Sequence, residues 1–209
     1  MMAKAGRKPA STRVPRAEAR QRVIRAAFET LRADGFSGTS ARAIAATGGF
    51  DQALVFYYFG SVNDLLLAAL ADSSATQLRE YEEALADIKS LPALFDAVST
   101  PFERDLASGH VRVLAELVAA SAADRRLADA VGAMVEPWID LTKRTVDRVL
   151  GKSFIGSVVP SEQIAFAVVA FFLGAELLVN LKGDASDQQA LLQTGATVVK
   201  LLGSFGGAP

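Results

Sequence analysis

From residue 17 onward, the apolar positions Val23, Ile24, Ala27, Phe28 and Leu31 recur three and four residues apart. That is the spacing of one face of an α-helix. Gly35 follows as a C-terminal stop, so the pattern predicts a first helix over 17–34. Thr39 and Ser40 are N-cap residue types, and Ala43 and Ile44 follow them before the pair Gly48 and Gly49. This predicts a short second helix. Asp51 caps a third helix that runs to Phe59 and stops at Gly60. Ser61 and Asp64 have capping-box form, with Asp in place of the usual Glu. They open a long fourth helix through Leu65, Leu66, Ala69, Leu70, Leu78, Tyr81, Leu85 and Ile88.

Beyond Pro92 the rhythm stays helical, with Pro92 and Pro101 placed where helices begin or break. Leu94, Phe95 and Val98 form one piece and 110–120 another. Leu127, Val131, Met134, Val135, Trp138, Leu141, Thr145 and Val149 mark a longer helix. The last two helices are expected over 161–182 and 186–202. No window alternates in the manner of a strand, so the fold class is all-α with about nine helices.

The chain has 209 residues, of which 51% are hydrophobic, enough to build a sizeable core. It has no cysteine, which removes disulfides and thiolate chemistry and favours a reducing, cytoplasmic location. No apolar run follows the basic N-terminus, so no secretory signal is expected. The most apolar stretch, 164–181, contains Glu176 and Asn180 and is expected to be covered by protein, with no membrane partner.

Charge is divided unevenly along the chain. Residues 1–67 carry ten Lys or Arg against five Asp or Glu, and the remainder twelve against eighteen. A basic first third attached to an acidic body points to a polyanion at the N-terminal end. The expected organisation is a flexible basic arm at 1–16, a DNA-binding domain at 17–67 and a helical domain at 68–209, to which the resemblance given below assigns ligand binding and dimerisation. Two short helices about a glycine turn, braced by a preceding helix, make a unit whose last helix fits a DNA major groove about 12 Å wide.

The residues TSARAIAATGGFDQALVFYYFGSVNDLLLAAL, preceded by AAFETLRADGFSGTS, resemble the DNA-binding segment of TetR-family transcriptional regulators over residues 18–70. By this resemblance Thr39 and Ser40 lie where the family contacts phosphate, and Arg42 is on the outer side of the second helix. Gln52, Ala53 and Leu54 fall on the base-reading start of the third helix, and Phe56, Tyr57 and Tyr58 in its aromatic cluster, with Ser61 beyond. Two positions depart from the family: Val62 stands where a lysine is frequent, and Phe56 lacks the hydroxyl of a frequent tyrosine. Arg13 and Arg16 of the arm and the nearby Arg20, with Arg7 and Lys8, are expected to replace the missing cations. Backbone N–H groups at the starts of the second and fourth helices are further expected phosphate donors.

The resemblance further implies a homodimer on a palindromic operator, paired through the last two helices, with Phe171, Ala175, Leu178, Val198 and Leu202 at the interface. It also implies a small-molecule effector held between the middle helices, where Phe95, Phe102, Leu114, Trp138 and Phe166 could form the walls. His110, Glu116 or Glu176 would be polar anchors, the ligand apolar or amphipathic, and the outcome repression. No cofactor or metal is expected. An enzyme is disfavoured, because one histidine, no cysteine and no H-E-x-x-H or G-x-S-x-G leave the usual sites without parts. Gly151-Lys152-Ser153 imitates the end of a phosphate loop, but Val146 stands where its first glycine belongs. The other alternative is a helical dimer that binds a ligand or protein and has lost DNA binding.

Overall fold

The computed structural model describes residues 15–151 and 153–182, with Thr194 and Thr197 besides. Arg13, Val198, Leu202 and the expected helix over 186–202 lie outside the described residues, as do the side chains of Phe102 and Glu176. Among the described residues there are nine helices and no strand. They are α1 (Arg16–Gly38), α2 (Ala41–Gly48), α3 (Ala53–Phe59), α4 (Val62–Leu85), α5 (Leu91–Ser108), α6 (His110–Ser121), α7 (Arg125–Leu150), α8 (Phe154–Val158) and α9 (Ser161–Lys182).

Local chemistry sets most boundaries. Ser40 Oγ accepts the Ala43 amide at 3.1 Å to begin α2, and Ser61 Oγ accepts the Asp64 amide at 3.1 Å to begin α4. Gly35, at φ 70° and ψ 178°, breaks α1 where the sequence placed its end, but a further turn continues to Gly38. One expectation is corrected, and two details are added. Pro101 lies inside α5, where its ring removes one backbone bond without ending the helix. The helix marked by the apolar pattern from Leu127 begins at Arg125, because Asp124 Oδ1 accepts the amides of Arg126 and Leu127 at 3.0 and 3.3 Å. Five residues after Gly151 form α8, too short for periodicity to reveal.

One hydrophobic cluster runs through head and body: Val23, Ile24, Ala27 and Leu31 of α1, Ile44 of α2, Val55 of α3, Leu65, Leu66 and Leu70 of α4, Val113 and Leu117 of α6, and Leu127 and Val131 of α7. Helix α1 packs on α2, α4 and α6, and α7 packs on α4, α6, α8 and α9. The head is therefore clasped by α6 as well as carried by α4. Glu116 of α6, expected as a cavity anchor, instead accepts the Phe36 amide at 3.0 Å, an amide that the break at Gly35 leaves without an intrahelical partner. At the far end of α4, Arg148 donates to the carbonyls of Leu85 and Ala86, satisfying acceptors that the helix end orphans. No single helix among the described residues is long and apolar enough to cross a membrane.

Candidate nucleic-acid interface and ligand cavity

Helix α2 ends in a left-handed turn at Gly49, with φ 62°. The Gly49 amide donates to Ala46 and the Phe50 amide to Ala45, the paired bonds that close a helix through a glycine. Arg22, on α1, reaches across and donates to the carbonyls of Gly48 and Gly49, both at 2.9 Å. Its guanidinium also lies 6.0 Å from the Phe50 ring centroid. Thr30 of α1, whose proton goes to the Ala26 carbonyl, accepts from the Thr47 hydroxyl at 2.9 Å. The angle between α2 and α3 is thus held by α1 through charge-assisted bonds. Asp51 Oδ1 accepts the Ala53 amide at 2.8 Å and starts α3, the capping role expected of it.

Val55 is fully buried and pins α3 to the core, and Leu54, Tyr58 and Phe59 pack partly against the same core. The opposite face of α3 is open. Gln52 and Ala53 are exposed, Phe56 is 52% exposed and Tyr57 64% exposed. Large aromatics left this open on a seven-residue helix serve no fold-stabilising purpose, and they mark a contact surface. Tyr57 and Tyr58 meet edge to face at 4.9 Å. Arg16 stands over the Tyr57 ring at 5.6 Å and Arg20 over Phe59 at 4.8 Å. The cations that the sequence around 56–62 lacks are brought there by α1.

The hydroxyls divide by partner. Thr39 Oγ1 donates to the Gly35 carbonyl at 2.7 Å, and Ser61 Oγ donates to Asp64 Oδ2 at 2.7 Å. Both protons are spent inside the protein. Ser40 uses its oxygen as an acceptor at the cap and keeps a proton to donate outward, beside the exposed Arg42. The start of α4 holds its own carboxylate: Asp64 sits in the first turn and pairs with Arg126 at 2.6 Å. The Asp64 charge at the start of the fourth helix is thus compensated by the exposed Arg126 guanidinium.

A second feature lies in the body. A cavity of about 320 Å³ opens between α4, α5, α6, α7 and α9. Of the expected wall residues, Phe95, His110, Leu114 and Trp138 line it; Phe166 does not, being 63% exposed on α9. His110 is buried, with Nδ1 2.9 Å from Ser73 Oγ and its ring stacked on Phe28 of α1 at 6.5 Å. Burial lowers its pKa from 6.5 to about 4. The unfolded chain therefore takes up this proton near pH 6.5 while the folded one resists it until about pH 4. The resulting stability is complete above pH 6.5 and is lost as pH falls through that window. The cost is about 2 kcal/mol by pH 5. Urea unfolding at pH 7.5 and 5.0, for the parent and for His110→Phe, reads the difference: the variant should lack that part of the acid loss.

On α9, Phe171 is 51% and Leu178 56% exposed, with Ala175 half-buried and Phe166 and Leu177 also exposed. With Ala167 and Ala170, these form an apolar stripe at spacings of three and four facing away from the body. Among the described residues no cluster of metal-ligand side chains occurs.

Residues 23–69 match the family model for bacterial regulatory proteins of the tetR family. No curated protein sequence matches the chain. Solved structures similar to it include the fatty acid degradation regulator FadR from Bacillus halodurans, at TM-score 0.73 and 12% identity over 90% of this chain and 96% of that one. Salmonella enterica GusR aligns at TM-score 0.71 and 19% identity, covering 92% and 96%. A TetR transcription regulator from Haloarcula marismortui aligns at TM-score 0.70 and 18% identity, covering 88% and 98%. At such identities the likeness is one of fold: all-α, with a helix-turn-helix segment at the N-terminal end where the family model matches.

Proposed function

We propose, on the premise that residues 23–69 form a TetR-family N-terminal domain within that family's fold, that the chain is a homodimeric transcriptional repressor released from a palindromic operator by a small apolar ligand. The observation that carries this reading is the outward face of α3, where Gln52, Ala53, Phe56 and Tyr57 stand clear of the body while Val55 anchors the helix beneath them. Gln52 and Ala53 at the start of α3 reach base edges. The Tyr57 hydroxyl, Ser40 and the amides opening α2 take phosphates, with Arg16 and Arg42 supplying charge. The ligand acts from the body cavity, and coupling runs through α4, which carries Leu65 and Leu66 in the head and Ser74 and Tyr81 at the cavity wall. Helix α6 runs beside it, with His110 on the cavity and Glu116 on the α1 break. The setting for such a protein is the cytoplasm.

The test is selection of bound duplexes from a random pool by the full-length protein, followed by fluorescence anisotropy against salt. A two-fold symmetric consensus is expected. Arg16→Gln should lower the slope of log affinity against log salt by about one unit, as each lost phosphate pairing does. Tyr57→Phe loses a neutral donor and should weaken binding by about fivefold, near 1 kcal/mol, with the slope and the selected sequence unchanged. Failure to enrich any sequence would leave a ligand-binding helical dimer without DNA binding as the better description.

A further inference from the structure

The cavity wall is made of aliphatic and aromatic side chains, among them Leu70, Phe95, Leu114, Met134 and Trp138. None of the described lining residues carries a formal charge at neutral pH. Several of its polar groups are committed to the protein. Ser74 Oγ accepts from Trp138 Nε1 at 3.0 Å, and Thr142 and Thr145 donate back to the carbonyls of Trp138 and Leu141 at 2.8 and 2.9 Å. The charged side chains Asp72, Glu80 and Arg104 line a different cleft, of about 430 Å³ between α1, α4 and α5, and there Arg104 pairs with Glu80.

We propose that the cavity selects uncharged, largely apolar molecules and discriminates against their carboxylate counterparts. The proposal rests on the reading of this cavity as an effector site and adds the chemical class of the effector. A carboxylate moved into such a wall loses its hydration and finds no described cation in exchange, a cost that drives buried charges to pair or to neutralise. His110 is the only histidine in the chain and, among the described lining residues, the one group that could become cationic. With its pKa held near 4 by burial, it is protonated in roughly one molecule in a thousand at pH 7. A ligand carboxylate would have to draw that proton in at its own expense. A neutral hydroxyl or carbonyl carries no such penalty, because it brings no charge to be desolvated.

Trp138 is the only tryptophan in the chain and lies in the cavity wall, so its emission reports occupancy with no label. Full-length protein without DNA, titrated at pH 7.5 with 1-decanol and separately with decanoate, should bind the alcohol at least about 30-fold more tightly. Thr142→Lys, which places an ammonium in the wall, should narrow or reverse that preference. Equal or tighter binding of decanoate by the parent protein overturns the proposal, and so does an unchanged Trp138 signal with both compounds. Because the readout needs no DNA, a protein that failed to select an operator would refute the regulatory reading and leave this one standing. Discrimination by charge combined with operator binding that decanol does not alter would refute only ligand release.

Discussion

Gly48→Val is expected to cost about 3 kcal/mol in the local stability of the α2–α3 unit, and up to about 100-fold in DNA affinity, while the body stays folded. A Cβ built on Gly48 would lie 2.0 Å from the Phe50 ring and 2.8 Å from the Ala26 Cβ. Ala26 is on the buried face of α1 and cannot retreat. The Phe50 ring could swing away only by leaving the core and the Arg22 guanidinium stacked near it. Arg22 would then lose register with the Gly48 and Gly49 carbonyls, and the two helices would no longer be held at one angle. DNA must restore that angle on binding, so apparent affinity falls by the fraction of heads still competent. Gly60→Ala is the control. It has a positive φ of 77° but nothing within 4 Å of an added Cβ, so only backbone strain of about 1–3 kcal/mol is expected. Hydrogen exchange of the α2 and α3 amides, read beside anisotropy, separates the two. Full protection of those amides in Gly48→Val would refute the clamp.

The same turn shows what the sequence makes legible. Ser40, Asp51 and Ser61 act on amides two or three residues away, and Gly49 and Gly60 adopt the positive φ that stops a helix. Such chemistry is written in adjacent letters, and the recognition unit is therefore readable nearly to the residue. Arg22 is not. It sits 26 and 27 residues from the carbonyls it holds and looks in the sequence like any exposed arginine of a helix. Arg16 and Arg20, by contrast, are among the arginines expected to supply the missing charge, and they stand over the rings of Tyr57 and Phe59. Glu116 was misplaced because its partner, the Phe36 amide, is orphaned only by the break at Gly35 on another helix. On α9, apolar residues occur all round, so spacing alone does not tell cavity from exterior; that is why Phe166 was expected inside and is found outside.

In the homodimer proposed above, paired through this face of α9, Phe171→Glu combined with Leu178→Glu is expected to give a monomer at micromolar concentration and to lower operator affinity by more than 100-fold. Both side chains are about half exposed, so glutamate at either position disturbs little of the subunit's own core, and helix content should be unchanged. In a two-fold pairing each substituted side chain lies near the axis it helps to define, so four carboxylates meet across a surface that was apolar. Separated heads then bind half-sites independently and lose the effective concentration that linkage gives the second one. There is also a route from this face to the cavity. Phe171 meets Phe172 edge to face at 5.7 Å, and Phe172 lines the cavity wall. A ligand that displaces Phe172 would press on Phe171 and on whatever subunit covers it. Sedimentation of the double variant as an unchanged dimer would place the interface elsewhere and remove that route.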